Sequence, residues 1–223
     1  AFGLTDAPFW HGFTMATALI GTIIGALICG KPAQKYGRLL SLKVIGVLYL
    51  ISAVGSGMIC DWYLFMIFRF LGGLAVGASS VIGPMYIAEI SPSSWRGRFV
   101  AFFQFNIVLG IVCAYFSNYF IAGIPNDWQW MLGSESAPAL LFTVLLFTVP
   151  ESPRWLVSQG MDDKAAAIFV KTGESDVEGE MAAIKEAAEG LGMSKPSAGQ
   201  IEYVELGGPD KAVVYAAGKD GVL

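Results

Sequence analysis

Charge is scarce in this sequence: 14% of its 223 residues are Asp, Glu, Lys or Arg, where a globular domain carries about 25%. Histidine occurs once and cysteine three times. There is no His-Glu-x-x-His run, no Ser-His-Asp pattern and no glycine loop ending in Lys-Ser/Thr. These absences exclude the common hydrolase, metalloenzyme and nucleotide-binding classes, so the protein is read as not an enzyme, with no catalytic residue, no metal and no cofactor. A net charge of −4 offers nothing for nucleic acid. Cys29, Cys60 and Cys113 each sit inside apolar sequence and read as small membrane hydrophobes rather than disulfides or metal ligands.

What is present is apolar sequence: 55% of residues are hydrophobic and the mean hydropathy is +0.59. A bilayer core of about 30 Å needs roughly 20 apolar residues of helix, and such segments lie near 12–30, 42–60, 63–90, 98–122 and 132–149. The fold class is therefore all-α membrane protein with about five spans, occupying 1–156. Residues 157–195 follow as a segment of short amphipathic helices, with a capping box proposed at Ser175 to Glu178. Residues 196–223 form a tail, frayed or a weak hairpin.

The bases are one-sided. Lys31, Lys35, Arg38 and Lys43 fill one loop and Arg96 and Arg98 the next on that side, followed by Arg154, whereas 1–11, 61–62 and 123–131 hold no Lys or Arg. By the positive-inside rule the first set and residues 151–223 are cytoplasmic, in a multi-pass inner membrane protein, and the N-terminus given lies outside. That orientation leads to the expectation of a preceding span.

Several positions cost more than an anchor needs. Arg69 lies about 9 Å inside the third span by helical rise, and an intramembrane guanidinium seeks a partner. Glu135, about 6 Å deep in the last span, is the best visible one. Gly21 and Gly25 in the first span, with Gly72, Gly73, Gly77 and Gly83 in the third, make small-residue faces suited to close helix packing. At the basic side Arg38, Glu89 and Arg96 form a charge cluster, expected to consist of exposed pairs worth about 0–1 kcal/mol each, and Glu151 and Arg154 join it. Gln104, Asn106 and Asn118 in the fourth span suit either a polyhydroxylated ligand or interhelical hydrogen bonds.

The runs GKPAQKYGR, RFLGGLAVG, PMYIAEISPSSWRGR and PESPRWL, in this order, resemble the sugar porter family of the major facilitator superfamily. The match runs from about Gly12 to Gly160 and looks closest to bacterial D-xylose-proton symporters. The resemblance implies a twelve-helix transporter of two six-helix halves, of which this chain holds spans two to six. It implies alternating-access transport of a monosaccharide, proton-coupled, of a pentose or hexose such as xylose. It assigns Gln104 to the sugar, Arg69 and Glu135 to the proton site, and Arg38, Glu89, Arg96, Glu151 and Arg154 to a conformational charge network. The implied partners are sugar, proton, lipid bilayer and a C-terminal half.

Three departures bear on this. Gln34 stands where the family usually has an acid, Leu39 where it has a second arginine, and the acid-bearing first span and the second half lie outside the chain. A downhill facilitator, a half-transporter inactive on its own and a sugar receptor signalling through residues 157–223 stay open beside the symporter.

Overall fold

The computed structural model of the protein describes residues 8–59, 61–174, 176–190, 202–205 and 212–215. Contacts divide the chain into two compact units, 1–151 and 152–223. The first contains α1 (Pro8–Ile28), α2 (Gly30–Tyr36), α3 (Arg38–Met58), α4 (Trp62–Ile90), α5 (Arg96–Ile121), α6 (Asp127–Gly133) and α7 (Ser136–Leu145). Among the described residues α3, α4 and α5 are each long and apolar enough to cross a membrane. Gly12–Ile28 with α2 makes a fourth if that pair, bent by 46°, counts as one span.

Proline accounts for both interruptions. Pro32 has no N–H to offer the carbonyl four residues back, Ile28, and its ring crowds that carbonyl. The axis bends there although Cys29 keeps helical dihedrals (φ −61°, ψ −24°). Pro138 does the same to Ser134. The expected span at 132–149 is thus not one regular helix but α6 and α7, joined through Ser134 and Glu135, both still right-handed helical (φ −62°, ψ −25°; φ −62°, ψ −20°). Tight i to i−3 bonds at Glu135, Phe147 and Thr148 flank the joint and the far end. The turn between α2 and α3 falls on Gly37, whose φ of +98° only glycine adopts cheaply. It starts α3 at Arg38, ahead of the expected boundary.

The centre of this unit is α4, which packs on α1 at one side and on α3 at the other. Its start is capped by Asp61, whose side chain accepts from the Leu64 N–H at 3.0 Å. The α1–α4 seam is backbone against backbone. A Cβ built at Gly21 would lie 2.5 Å from the Phe70 carbonyl oxygen, one at Gly77 2.7 Å from the Thr22 Cα, and one at Gly73 3.0 Å from the Ala18 carbonyl carbon. These approaches confirm the packing role expected of the two small-residue faces. The apolar core gathers Cys29, Ala33, Leu42, Ile45, Ala78, Ile82 and Tyr86. By contrast no residue of α5 is buried.

The second unit holds α8 (Pro153–Ser158), α9 (Asp162–Thr172) and α10 (Val177–Gly190). Ser152 is fully buried and caps α8 by accepting from the Trp155 N–H at 3.2 Å, and Pro153 occupies the first turn, where a missing N–H costs nothing. Asp162 and Asp163 in the first turn of α9 and Lys171 in its last complement the helix dipole. Leu156, Val157 and Ala165 form a small core of their own. Ser175 of the proposed capping box lies outside the described residues; the cap observed is Asp176, which accepts from the Gly179 N–H at 2.9 Å. In the tail, of the two expectations of fraying or a weak hairpin, the structure has the hairpin. β1 (Glu202–Glu205) and β2 (Ala212–Tyr215) pair antiparallel, Glu202 opposite Tyr215 and Glu205 opposite Ala212, in the segments with the strongest β-propensity of the tail.

Candidate functional site

The basic end of the first unit brings Arg38, Glu89, Arg96 and Glu151 onto three helix termini. Arg38, first residue of α3, forks onto Glu89 near the end of α4: Nε lies 3.1 Å from Oε2 and Nη2 3.2 Å from Oε1. Its Nη1 also donates to the Ala33 carbonyl at 3.2 Å. The side chains are only 14% and 10% exposed. This corrects the expectation of exposed, weak pairs. A bidentate arginine–carboxylate fork at this burial is strong and specific. Each charge alone sits at the wrong helix end for the dipole, a cation at an N-terminus and an anion at a C-terminus, so each compensates the other.

The other two residues act as helix caps from a distance. Gly37 precedes α3 and has no side chain to cap with; instead the Glu151 carboxylate accepts from the Leu39 N–H at 2.9 Å, one of the N–H groups a helix start leaves without a partner. At the far end of α4, Arg96 reaches back across the loop and donates through Nε to the Ala88 carbonyl at 2.7 Å, one of the last carbonyls of that helix. The Tyr86 hydroxyl adds a bond to the Pro150 carbonyl, fixing the chain that carries Glu151. Leu39 itself is 8% exposed and belongs to the core.

A second group converges within the membrane-spanning helices from α3, α4 and the α6–α7 joint. Glu135 does not reach Arg69: among the described residues no ion pair joins them. The Tyr49 hydroxyl of α3 donates to Glu135 Oε2 at 3.4 Å. The Arg69 guanidinium lies over the Phe65 ring, 5.5 Å from its centroid, within electrostatic reach of Tyr49. Phe65 in turn meets the edge of Trp128 on α6. A cation held over an aromatic face is a partial substitute for a carboxylate.

Gln104 is exposed on α5, as is Asn106, which bonds back to its own helix at the Phe102 carbonyl, 3.0 Å away. Asn118 is half-buried. Arg154, expected in the charge network, pairs in the second unit with Glu180 of α10 at 2.9 Å. Sequence reasoning passed over Tyr49 and Tyr86, each inside an apolar run. The only signal for either is a phenol on a helix face that otherwise carries none.

A polytopic helical bundle with glycine-packed spans, an intramembrane arginine and a buried charge fork is the half-body of a major facilitator-type transporter. The chain belongs to the Sugar (and other) transporter family, whose profile matches residues 5–201. It is 43% identical over 185 residues to the D-xylose-proton symporter of Escherichia coli, covering 72% of this chain and 38% of that protein. It is 42% identical over 178 residues to the glucose transport protein of Synechocystis, covering 74% and 38%. The solved structure of the proton:xylose symporter XylE bound to 6-bromo-6-deoxy-D-glucose superposes with a TM-score of 0.76 at 38% identity, over 80% of this chain and 43% of that one. The chain therefore spans about two fifths of the length of the relatives it matches.

Proposed function

We propose that this chain is the N-terminal part of a proton-coupled sugar transporter that moves a pentose or hexose, such as xylose, by alternating access. The 43% identity to a D-xylose-proton symporter over 72% of this chain is the observation that carries the reading. In it, residues 1–156 are the transmembrane bundle, corresponding to spans two to six of the family. Residues 157–195 are a cytoplasmic helical segment and 196–223 a tail. The basic end of the bundle faces the cytoplasm of a bacterial-type inner membrane.

Gln104 hydrogen-bonds the sugar. Its exposure on α5 suits a side chain whose ligand and opposing wall come from the rest of the transporter. Arg69 and Glu135 serve the proton site, and Arg38, Glu89, Arg96, Glu151 and Arg154 set conformational preference. The fork and the two distant caps support this for the first four, which hold the basic ends of α3, α4 and α5 as one plate that can move as a body. No step of this scheme is enzymatic.

The test is D-xylose uptake into proteoliposomes by the full-length protein containing this chain. The reading expects uptake that falls at least tenfold with Gln104→Ala and collapses when the pH gradient is discharged. Uptake indifferent to both changes contradicts the sugar and proton assignments together.

A further inference from the structure

Tyr49 has no part in the assignments above, yet among the described residues it is the side chain bonded to Glu135. Its ring packs against the apolar core that α3 shares with α4, so the phenol is held in one direction. Glu135 sits at the joint that Pro138 opens between α6 and α7, where the backbone is helical but the regular ladder is interrupted. Arg69 approaches from α4 but is engaged with Phe65. Among the described residues Tyr49 of α3 thus stands between Glu135, to which it is bonded, and Arg69 of α4. On α5, Tyr115 and Tyr119 are exposed, and α6 carries Asp127 in its first turn.

We propose that Tyr49 is a positioning residue for Glu135: its hydroxyl, donating to Oε2, holds the carboxylate toward α3 and out of ion-pair range of Arg69. The inference rests on the reading of Glu135 as part of the proton site. A donated hydrogen bond favours the ionised carboxylate. Without it the carboxylate loses its anchor on α3 and is free to swing toward the guanidinium. Tyr49 transfers no proton in this role. It decides which neighbour the carboxylate faces.

The test is the pH profile of D-xylose uptake by the full-length transporter in proteoliposomes, with xylose exchange at equal pH on both sides as the check on folding. Tyr49→Phe keeps the ring and removes the donor; the midpoint of the profile moves by about one pH unit while exchange persists. Glu135→Gln abolishes that midpoint, and adding Tyr49→Phe to it changes nothing more. If Tyr49→Phe fails to fold, fluorotyrosine at position 49, a stronger donor of nearly the same shape, moves the midpoint in the direction opposite to loss of the donor. An unchanged midpoint in the Tyr49 variants, with Glu135→Gln still altering the profile, overturns the positioning role alone. A wild-type midpoint in Glu135→Gln overturns the assignment of Glu135, and the positioning role with it.

Discussion

α4 and α5 are both long and apolar, and α5 has the composition of a span at least as much as α4 does. Their fates differ. α4 buries Gly72, Gly73, Ala75, Gly77 and Ala78 between α1 and α3, while α5 buries nothing. In water the more apolar helix would be the better covered. In lipid, tails solvate leucine as well as another helix does, so apolarity chooses no partner. What distinguishes α4 is its run of small residues, which lets a neighbouring backbone come close enough for dispersion contacts. α5 carries Phe102, Phe105, Tyr115, Phe116, Tyr119 and Phe120 outward instead.

The comparison breaks most sharply at the seam. Gly73→Leu in the 223-residue chain sets a branched side chain against the Ala18 carbonyl and the Gly21 Cα, backbone that moves only if α1 and α4 part. A loss above about 3 kcal/mol is expected, read as a failure to yield a monodisperse folded species in detergent. Next comes the charge fork. Arg38→Leu takes the bidentate fork from the buried Glu89 carboxylate, a cost of about 1.5–3 kcal/mol measured by chemical denaturation.

Smaller effects sharpen the same contrast. Glu151→Ala removes the distant cap from the Leu39 N–H and lowers stability by about 1 kcal/mol; hydrogen exchange speeds first at the start of α3. Asp162→Asn, which breaks the exposed pair with Lys185 in the second unit, changes stability by about 0–1 kcal/mol. If the two charge changes, Arg38→Leu and Asp162→Asn, cost alike, burial is not what separates them.

How far the sequence was legible follows from what each feature depends on. Spans one to four were readable because length and apolarity are local properties; α1, α3, α4 and α5 occupy the expected stretches. The Gly21 and Gly25 face was readable too, since small residues four apart share one side of a helix. The fragmentation of 132–149 turned on Pro138, which an expectation drawn from length and apolarity alone passed over. The Arg38–Glu89 pairing was foreseen, its burial was not, because burial depends on how α2 and α4 fold over the pair. Glu151 was placed by sequence near the cluster, but its partner is a backbone N–H, which no residue type announces. Likewise Arg154 was grouped with the network on charge and side alone, while Glu180 of α10 is the carboxylate it meets. Tyr49 was invisible as a polar contact because a tyrosine in an apolar helix ordinarily counts toward the core.

The account's central claim is that the small residues of α4 let α1 pack against it backbone to backbone. The direct measurement is a paired denaturation of Gly77→Leu and Gly110→Leu in the 223-residue chain in detergent micelles, since a Cβ at Gly77 meets the Thr22 backbone whereas one at Gly110 meets nothing within 4 Å. The account predicts that Gly77→Leu loses more than about 3 kcal/mol while Gly110→Leu stays within about 0.5 kcal/mol of the parent. Equal losses at the two sites would contradict it.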